Sequence, residues 1–320
     1  MADILYIVVP CYNEQEVLYE TAKRLSAKLQ TLIKESKISP KSRILFVNDG
    51  SLDGTWAIIE KLHENSQYIN GINLTRNRGH QNALLAGLSV ACEKADLTIS
   101  MDADLQDDID AVDKMLDKYY DGCDIVYGVR KSRKNDSFFK KITAEGFYRL
   151  MNFLGAQTVF NHADYRLMSK RAVKNLEQFN EVNLFLRGII PMIGYKSDIV
   201  YYDRKKRFAG KSKYPLRKML HFAAEGITSF STKPIRYITL IGSLIFIVSI
   251  IMIIAFIIDW GRGNTVSGWA SIICSIWAIG GLIMLSLGII GEYIGKMYLE
   301  TKKRPRYIIE KVLDDEEPTK

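Results

Sequence analysis

Apolar residues follow one rhythm through the first two thirds of the chain and another through the last third. Short β-rich runs at 4–9, 44–48, 68–74, 97–101 and 125–127 alternate with segments whose apolar side chains recur at helical steps, as in Val17, Leu25, Leu29 and Leu32. Strand and helix in alternation predict an α/β domain with a mostly parallel, Rossmann-like sheet covered on both faces. The rhythm changes near Pro234. Residues 237–258 are apolar for about 22 positions, roughly 33 Å of helix against a hydrocarbon core of about 30 Å, and 269–290 repeat the pattern with more Gly and Ser. Two transmembrane helices are expected, with a buried hairpin of a soluble protein as the alternative.

Between these two regimes, Leu216, Met219, Leu220, Ala223, Ile227 and Phe230 recur at three- and four-residue steps, with Arg217, Lys218 and His221 off the stripe. This pattern fits a helix lying in the membrane interface, and it also fits an ordinary amphipathic helix covering a globular core. Lys233 and Arg236 precede the first apolar run, Lys296, Lys302, Lys303, Arg304 and Arg306 follow the second, and only Asp259 and Arg262 are charged between them. Positive-inside bias therefore places both flanks, and both termini, in the cytoplasm. The opening MADILYIVVP has neither a basic n-region nor a cleavage site, so no signal peptide is expected.

Charge and cysteine content refine this picture only a little. The 320 residues carry 44 Lys+Arg against 36 Asp+Glu, a formal charge of +8 that suits an anionic partner. Because basic residues gather beside the apolar runs, a membrane surface fits better than nucleic acid. Cys11, Cys92, Cys123 and Cys274 are scattered without CxxC or metal spacing, which suits a reducing cytosol.

In parallel α/β sheets ligands bind beyond the carboxyl ends of the strands. Three polar clusters fall there: Pro10-Cys11-Tyr12-Asn13-Glu14, Asp49-Gly50-Ser51-Leu52-Asp53-Gly54-Thr55 and Asp102-Ala103-Asp104-Leu105-Gln106-Asp107. Asp102 and Asp104 flank one residue in extended chain, so both carboxylates can grip a hard divalent cation, with Gln106 next on the same side. Such a cation would neutralise a diphosphate leaving group. Read in isolation, the Asn48–Thr55 stretch is also a plain Gly-containing turn into a Thr cap. Neither GxxxxGK[ST] nor a GxGxxG after the first strand occurs, so a diphosphate would depend on metal and basic side chains. The basic stretch from Arg204 to Tyr214 could reach a nucleotide phosphate and a lipid phosphate, or could simply bind anionic headgroups.

At these residues the chain resembles glycosyltransferase family 2, and within it the polyprenyl-phosphate glycosyltransferases, which include bactoprenol glucosyltransferases and dolichyl-phosphate mannose synthase. The resemblance runs over nearly the whole chain. It rests on Val8-Val9-Pro10-Cys11-Tyr12-Asn13-Glu14, Asn48-Asp49-Gly50-Ser51, Arg76-Asn77-Arg78-Gly79-His80-Gln81-Asn82-Ala83, Met101 to Asp107, Ala163-Asp164-Tyr165-Arg166-Leu167 and Arg207 to Tyr214. It implies a GT-A catalytic domain at 1–213, an amphipathic juxtamembrane helix at 214–233, two transmembrane helices with a short external loop at 234–292, and a cytoplasmic tail at 293–320.

The resemblance further implies that Pro10, Tyr12, Glu14 and Asp49 hold the nucleoside, and that Asp102, Asp104 and Gln106 bind Mg²⁺ or Mn²⁺ with the diphosphate. Arg130 and Arg207 match phosphate-contacting arginines, Lys211 and Lys213 would assist them, and the family's proposed base falls on Asp164. Asn48 departs from a frequent second acid. A phosphate monoester is already largely anionic at pH 7, so Asp164 could equally orient Arg166 or a sugar hydroxyl. The implied reaction is inverting transfer of one sugar from a UDP-sugar, glucose first and N-acetylglucosamine second, to undecaprenyl phosphate. Small residues in the second apolar run permit self-association. A processive synthase would need further spans and a QxxRW segment, and a non-catalytic nucleotide-sugar-binding scaffold is the remaining alternative.

Overall fold

The computed structural model describes residues 2–131, 162–179, 181, 186–203 and 269–314, together with scattered helical positions between 238 and 258. The chain divides into two units, one made of Met1–Tyr148, Thr158–Pro215 and Arg304–Lys320, the other of Arg149–Gln157 and Leu216–Lys303.

In the first unit the expected alternation appears as β1 (Leu5–Cys11), α1 (Leu18–Lys34), β2 (Arg43–Asn48), α2 (Thr55–Glu64), β3 (Ile69–Leu74), α3 (His80–Lys94), β4 (Leu97–Ser100), α4 (Ala111–Tyr120) and β5 (Ile125–Arg130). Then come β6 (His162–Ser169), α5 (Lys170–Glu177), α6 (Leu186–Met192), β7 (Ser197–Tyr202) and β8 (Ile309–Leu313). One eight-stranded sheet runs β7-β5-β6-β4-β1-β2-β3-β8. The pairs among β1, β2, β3 and β4, and between β5 and β7, are parallel, whereas β6 is antiparallel to both neighbours and β8 to β3. This is the mostly parallel, Rossmann-like GT-A arrangement. Strand β1 and residues 44–47 of β2 are apolar because both faces are covered, with Leu5, Ile7, Val9, Ile44 and Phe46 buried in one core with Leu18, Leu25, Leu29 and Leu32 of α1.

Helix α3 lies close on the opposite face, and Gly87 permits this approach. A Cβ there would meet Val8 Cγ1 at 2.4 Å and Val47 Cγ2 at 2.6 Å. Gly87→Ala is therefore expected to destabilise the protein by about 1–3 kcal/mol, despite the better helix propensity of alanine. Thermal melting of the full-length variant checks this.

Within residues 293–320, expected from sequence to form a tail, 309–313 are strand β8 of the sheet. Thr75 N donates to the Ile308 carbonyl, β8 pairs along β3, and Asp314 accepts from Asn70 and Lys94. The outer edge of β3 would otherwise present unpaired backbone groups, and a partner more than two hundred positions away leaves no local trace in sequence.

In the second unit, α7 (Trp269–Thr301) contains a stretch, Ile279–Thr301, long and apolar enough to cross a membrane. Ile279, Ile283, Met284, Leu287, Ile290 and Ile294 are all exposed on it. Most of the first expected span lies outside the described residues. Those described within it are helical, and Leu240, Leu244, Ile247, Val248, Ile251, Ile254 and Ile258 have exposed side chains. The amphipathic segment 214–233 also falls outside.

Candidate active site

The loops that follow β1 and β2 are laced to each other. Asn13 N donates to Ser51 Oγ, Leu52 N to Asn13 Oδ1, Glu14 N to Thr55 Oγ1 and Gly54 N to Gln15 Oε1, all at 2.9–3.0 Å. Short polar side chains that accept from neighbouring backbone explain why Asn, Ser, Asp and Thr crowd this stretch. Pro10 is buried at the end of β1, and Tyr12 lies at the surface beside Asn13.

Asp49 is buried and accepts from Arg78 N at 2.7 Å and Gly79 N at 2.9 Å. Burial pushes its carboxyl up, and those two backbone donors oppose the rise. The residue expected to hold a nucleoside thus also pins the loop that starts α3. Gly50 must be glycine here, because its φ is +60° and a Cβ would lie 2.4 Å from Asn77 N.

The loop after β4 carries the acidic pair. Leu105 takes φ 57°, a left-handed conformation costing a leucine about 1–3 kcal/mol, and its neighbours hold it there. Thr21 Oγ1 of α1 donates to the Ala103 carbonyl at 2.8 Å, and Gln106 N donates to Asp104 Oδ1 at 3.1 Å. Asp102 remains half exposed while Asp104 is buried.

Beside them lies a buried acid to which sequence reading gave no separate role. Asp107 Oδ1 accepts from Tyr202 Oη at 2.6 Å, with Arg130 Nη2 at 4.0 Å, while Oδ2 is buried without a hydrogen-bond partner. Burial, then the charges of Asp102 and Asp104, pushes its carboxyl up to about 6. Since the ordinary carboxyl value is 3.8, folding costs stability as pH rises from about 4 through 6, where the folded group ionises. Asp107→Asn keeps an acceptor for Tyr202 and removes the charge. It is expected to raise the melting temperature at pH 7 and to lose that advantage at pH 4, as melting curves across that range would register.

The residues fit a divalent cation in the chemistry of their donors: carboxylate and amide oxygens, with no Cys or His in the expected set. Among the described residues no group of three or more His, Cys, Asp or Glu could hold a metal by itself. Two carboxylates completed by substrate phosphates suit Mg²⁺ or Mn²⁺ better than an all-protein cage does.

Strand β6 supplies the third part. Asp164 accepts from Arg166 Nη2 at 2.6 Å and from Arg187 Nη2 and Nε at 2.9 and 3.2 Å. Burial opposes its ionisation, but the Arg187 and Arg166 guanidiniums, with His80, hold the carboxyl well below the usual range. A carboxylate so stabilised is a weak base. Arg166 is itself 1% exposed, and its Nε and Nη1 have no hydrogen-bond partner.

Asp49, Asp102, Asp104, Arg130 and Asp164 thus gather at one edge of the sheet, with Pro10 near the end of β1 and Tyr12, Glu14 and Gln106 on the loops there. Arg207, Lys211 and Lys213 lie outside the described residues. Sequence reading gave no role to His80, Asp107, Arg187 or Tyr202. His80 stood inside a stretch already singled out, whereas nothing local marks Arg187 or Tyr202, which arrive on α6 and β7.

The sequence model described as "Glycosyl transferase family 2" matches residues 6–177. The chain is 55% identical to the uncharacterized glycosyltransferase YkoT of Bacillus subtilis over 96% of its length and 91% of that protein's. It is 41% identical to the prophage bactoprenol glucosyl transferase homolog of Escherichia coli, covering 96% of this chain and 98% of that one. With the bactoprenol glucosyl transferase of Shigella phage SfX it shares 39% identity, over 95% of this chain and 97% of the other.

Proposed function

This chain belongs to glycosyl transferase family 2, and from that premise we propose that it transfers a single sugar from a nucleotide-sugar to a polyprenyl phosphate at the cytoplasmic face of a bacterial plasma membrane. The observation that carries the reading is the convergence of Asp102, Asp104 and Asp164 at the carboxyl edge of the sheet, in a chain that aligns almost end to end with bactoprenol glucosyl transferases. UDP-glucose is the first donor and UDP-N-acetylglucosamine the second.

Asp102 and Asp104, with Gln106, would hold Mg²⁺ or Mn²⁺, whose charge offsets that of the departing diphosphate. Pro10, Tyr12, Glu14 and Asp49 would hold the nucleoside, and Arg130, Arg207, Lys211 and Lys213 the phosphates. The lipid phosphate oxygen attacks the anomeric carbon from the face opposite the leaving group, so configuration inverts. Already anionic at pH 7, that oxygen needs no proton removed. The weak basicity of Asp164 supports a role as a fixed anion that orients neighbouring groups.

Membrane topology follows a parity argument. β7 and β8 belong to one sheet, so the chain leaves that sheet after 202 and rejoins it at 309 on the same side of any bilayer. The chain between them must cross an even number of times. A crossing by α7 therefore demands a second one, and 237–258 is the segment proposed for it.

Incubating the purified full-length protein with labelled nucleotide-sugars and undecaprenyl phosphate tests the reading. A lipid carrying one sugar is the expected product. Polymer would mark a processive synthase, and binding without turnover a scaffold; either outcome overturns the proposal.

A further inference from the structure

His80, the first residue of α3, stands between two carboxylates on two other elements. Its Nε2 is 3.6 Å from Asp102 Oδ1 and 3.8 Å from Asp164 Oδ2. Both separations exceed a hydrogen bond, although carboxylates accept and an imidazole N–H donates. These separations leave no space on the line joining the atoms, but an oxygen set to one side of that line can come within about 2.8 Å of both the ring nitrogen and a carboxylate oxygen. The opening is reachable, since His80 and Asp102 are each about one third exposed and Asp164 is 15% exposed. The guanidiniums of Arg166 and Arg187 keep Asp164 in place, Arg166 on Oδ1 and Arg187 on both oxygens. Asp102 belongs to the diphosphate end of the proposed site and Asp164 to its reacting end, so the sugar must pass beside His80.

We propose that His80 reads a hydroxyl group of the transferred sugar, donating to it from the ring while a flanking carboxylate accepts from it on the open side of the pair, and thereby sets donor specificity. A hydroxyl both donates and accepts, which matches an imidazole N–H facing a carboxylate oxygen. The inference rests on the reading that this edge takes a nucleotide-sugar.

The test is calorimetric titration of full-length wild type, His80→Ala and His80→Gln with UDP, with the donor selected by the transfer assay, and with a set of its single-position deoxy analogues. His80→Ala is expected to weaken binding of the donor about tenfold. UDP alone should bind as it does to wild type, and for one deoxy analogue the wild type and the variants should be indistinguishable. His80→Gln, which keeps an N–H donor, should recover part of the loss. An equal loss on UDP alone, or the same loss on every analogue, would overturn the assignment while leaving the proposed reaction intact. A wild type that binds no nucleotide-sugar would overturn both.

Discussion

Asp104→Asn is expected to lower sugar transfer about a thousandfold or more while the protein melts at nearly the wild-type temperature. The side chain is buried, and its Oδ1 accepts from Gln106 N, which an asparagine Oδ1 can also do. The turn that holds Leu105 in its left-handed conformation therefore survives. The change removes one formal charge from the set proposed to hold a cation. Losing about 4 kcal/mol of leaving-group stabilisation corresponds to three powers of ten in rate. Turnover of the purified variant, measured beside its melting curve, checks both halves. Near-normal turnover would refute the cation assignment, and a collapsed melting temperature would show the residue to be structural.

The second large effect is on stability. Asp164→Ala leaves Arg166 buried, with Nε and Nη1 already unpartnered and its Nη2 bond to Asp164 gone. Removing one partner of a buried ion pair costs about 3–5 kcal/mol, because the remaining charge stays out of water without compensation. The melting temperature should fall by about 10 °C. Changing Arg166 to Leu in the same chain removes the stranded charge, so Asp164→Ala with Arg166→Leu should melt above Asp164→Ala alone. If the double variant were the less stable of the two, the ion pair would not be what holds this part of β6.

The two variants also separate two kinds of aspartate at one edge. Asp104 sits where charge is proposed to meet a ligand, and its loss should spare the fold. Asp164 is so firmly neutralised by Arg166 and Arg187 that its loss should reach the fold first. A proton acceptor needs the opposite environment.

What the sequence by itself determined is whatever local pattern can encode. Period-two and period-3.6 apolar repeats located β1 to β5 and their helices, because each element must hide its own apolar face. Residues just past β1, β2 and β4 marked the site, because a parallel sheet brings those strand ends to one edge. The motif stretches carried enough identity to announce the family. Tertiary structure decided the rest. β8 joins β3 across most of the chain, β6 enters antiparallel between β4 and β5, and Arg187 reaches Asp164 from a short helix with no distinguishing spacing. It also set the low basicity of Asp164 and the raised carboxyl of Asp107, since both depend on which charges lie nearby and how much water is excluded. Pairing and electrostatics of this kind act through space, and distance along the chain carries no record of them.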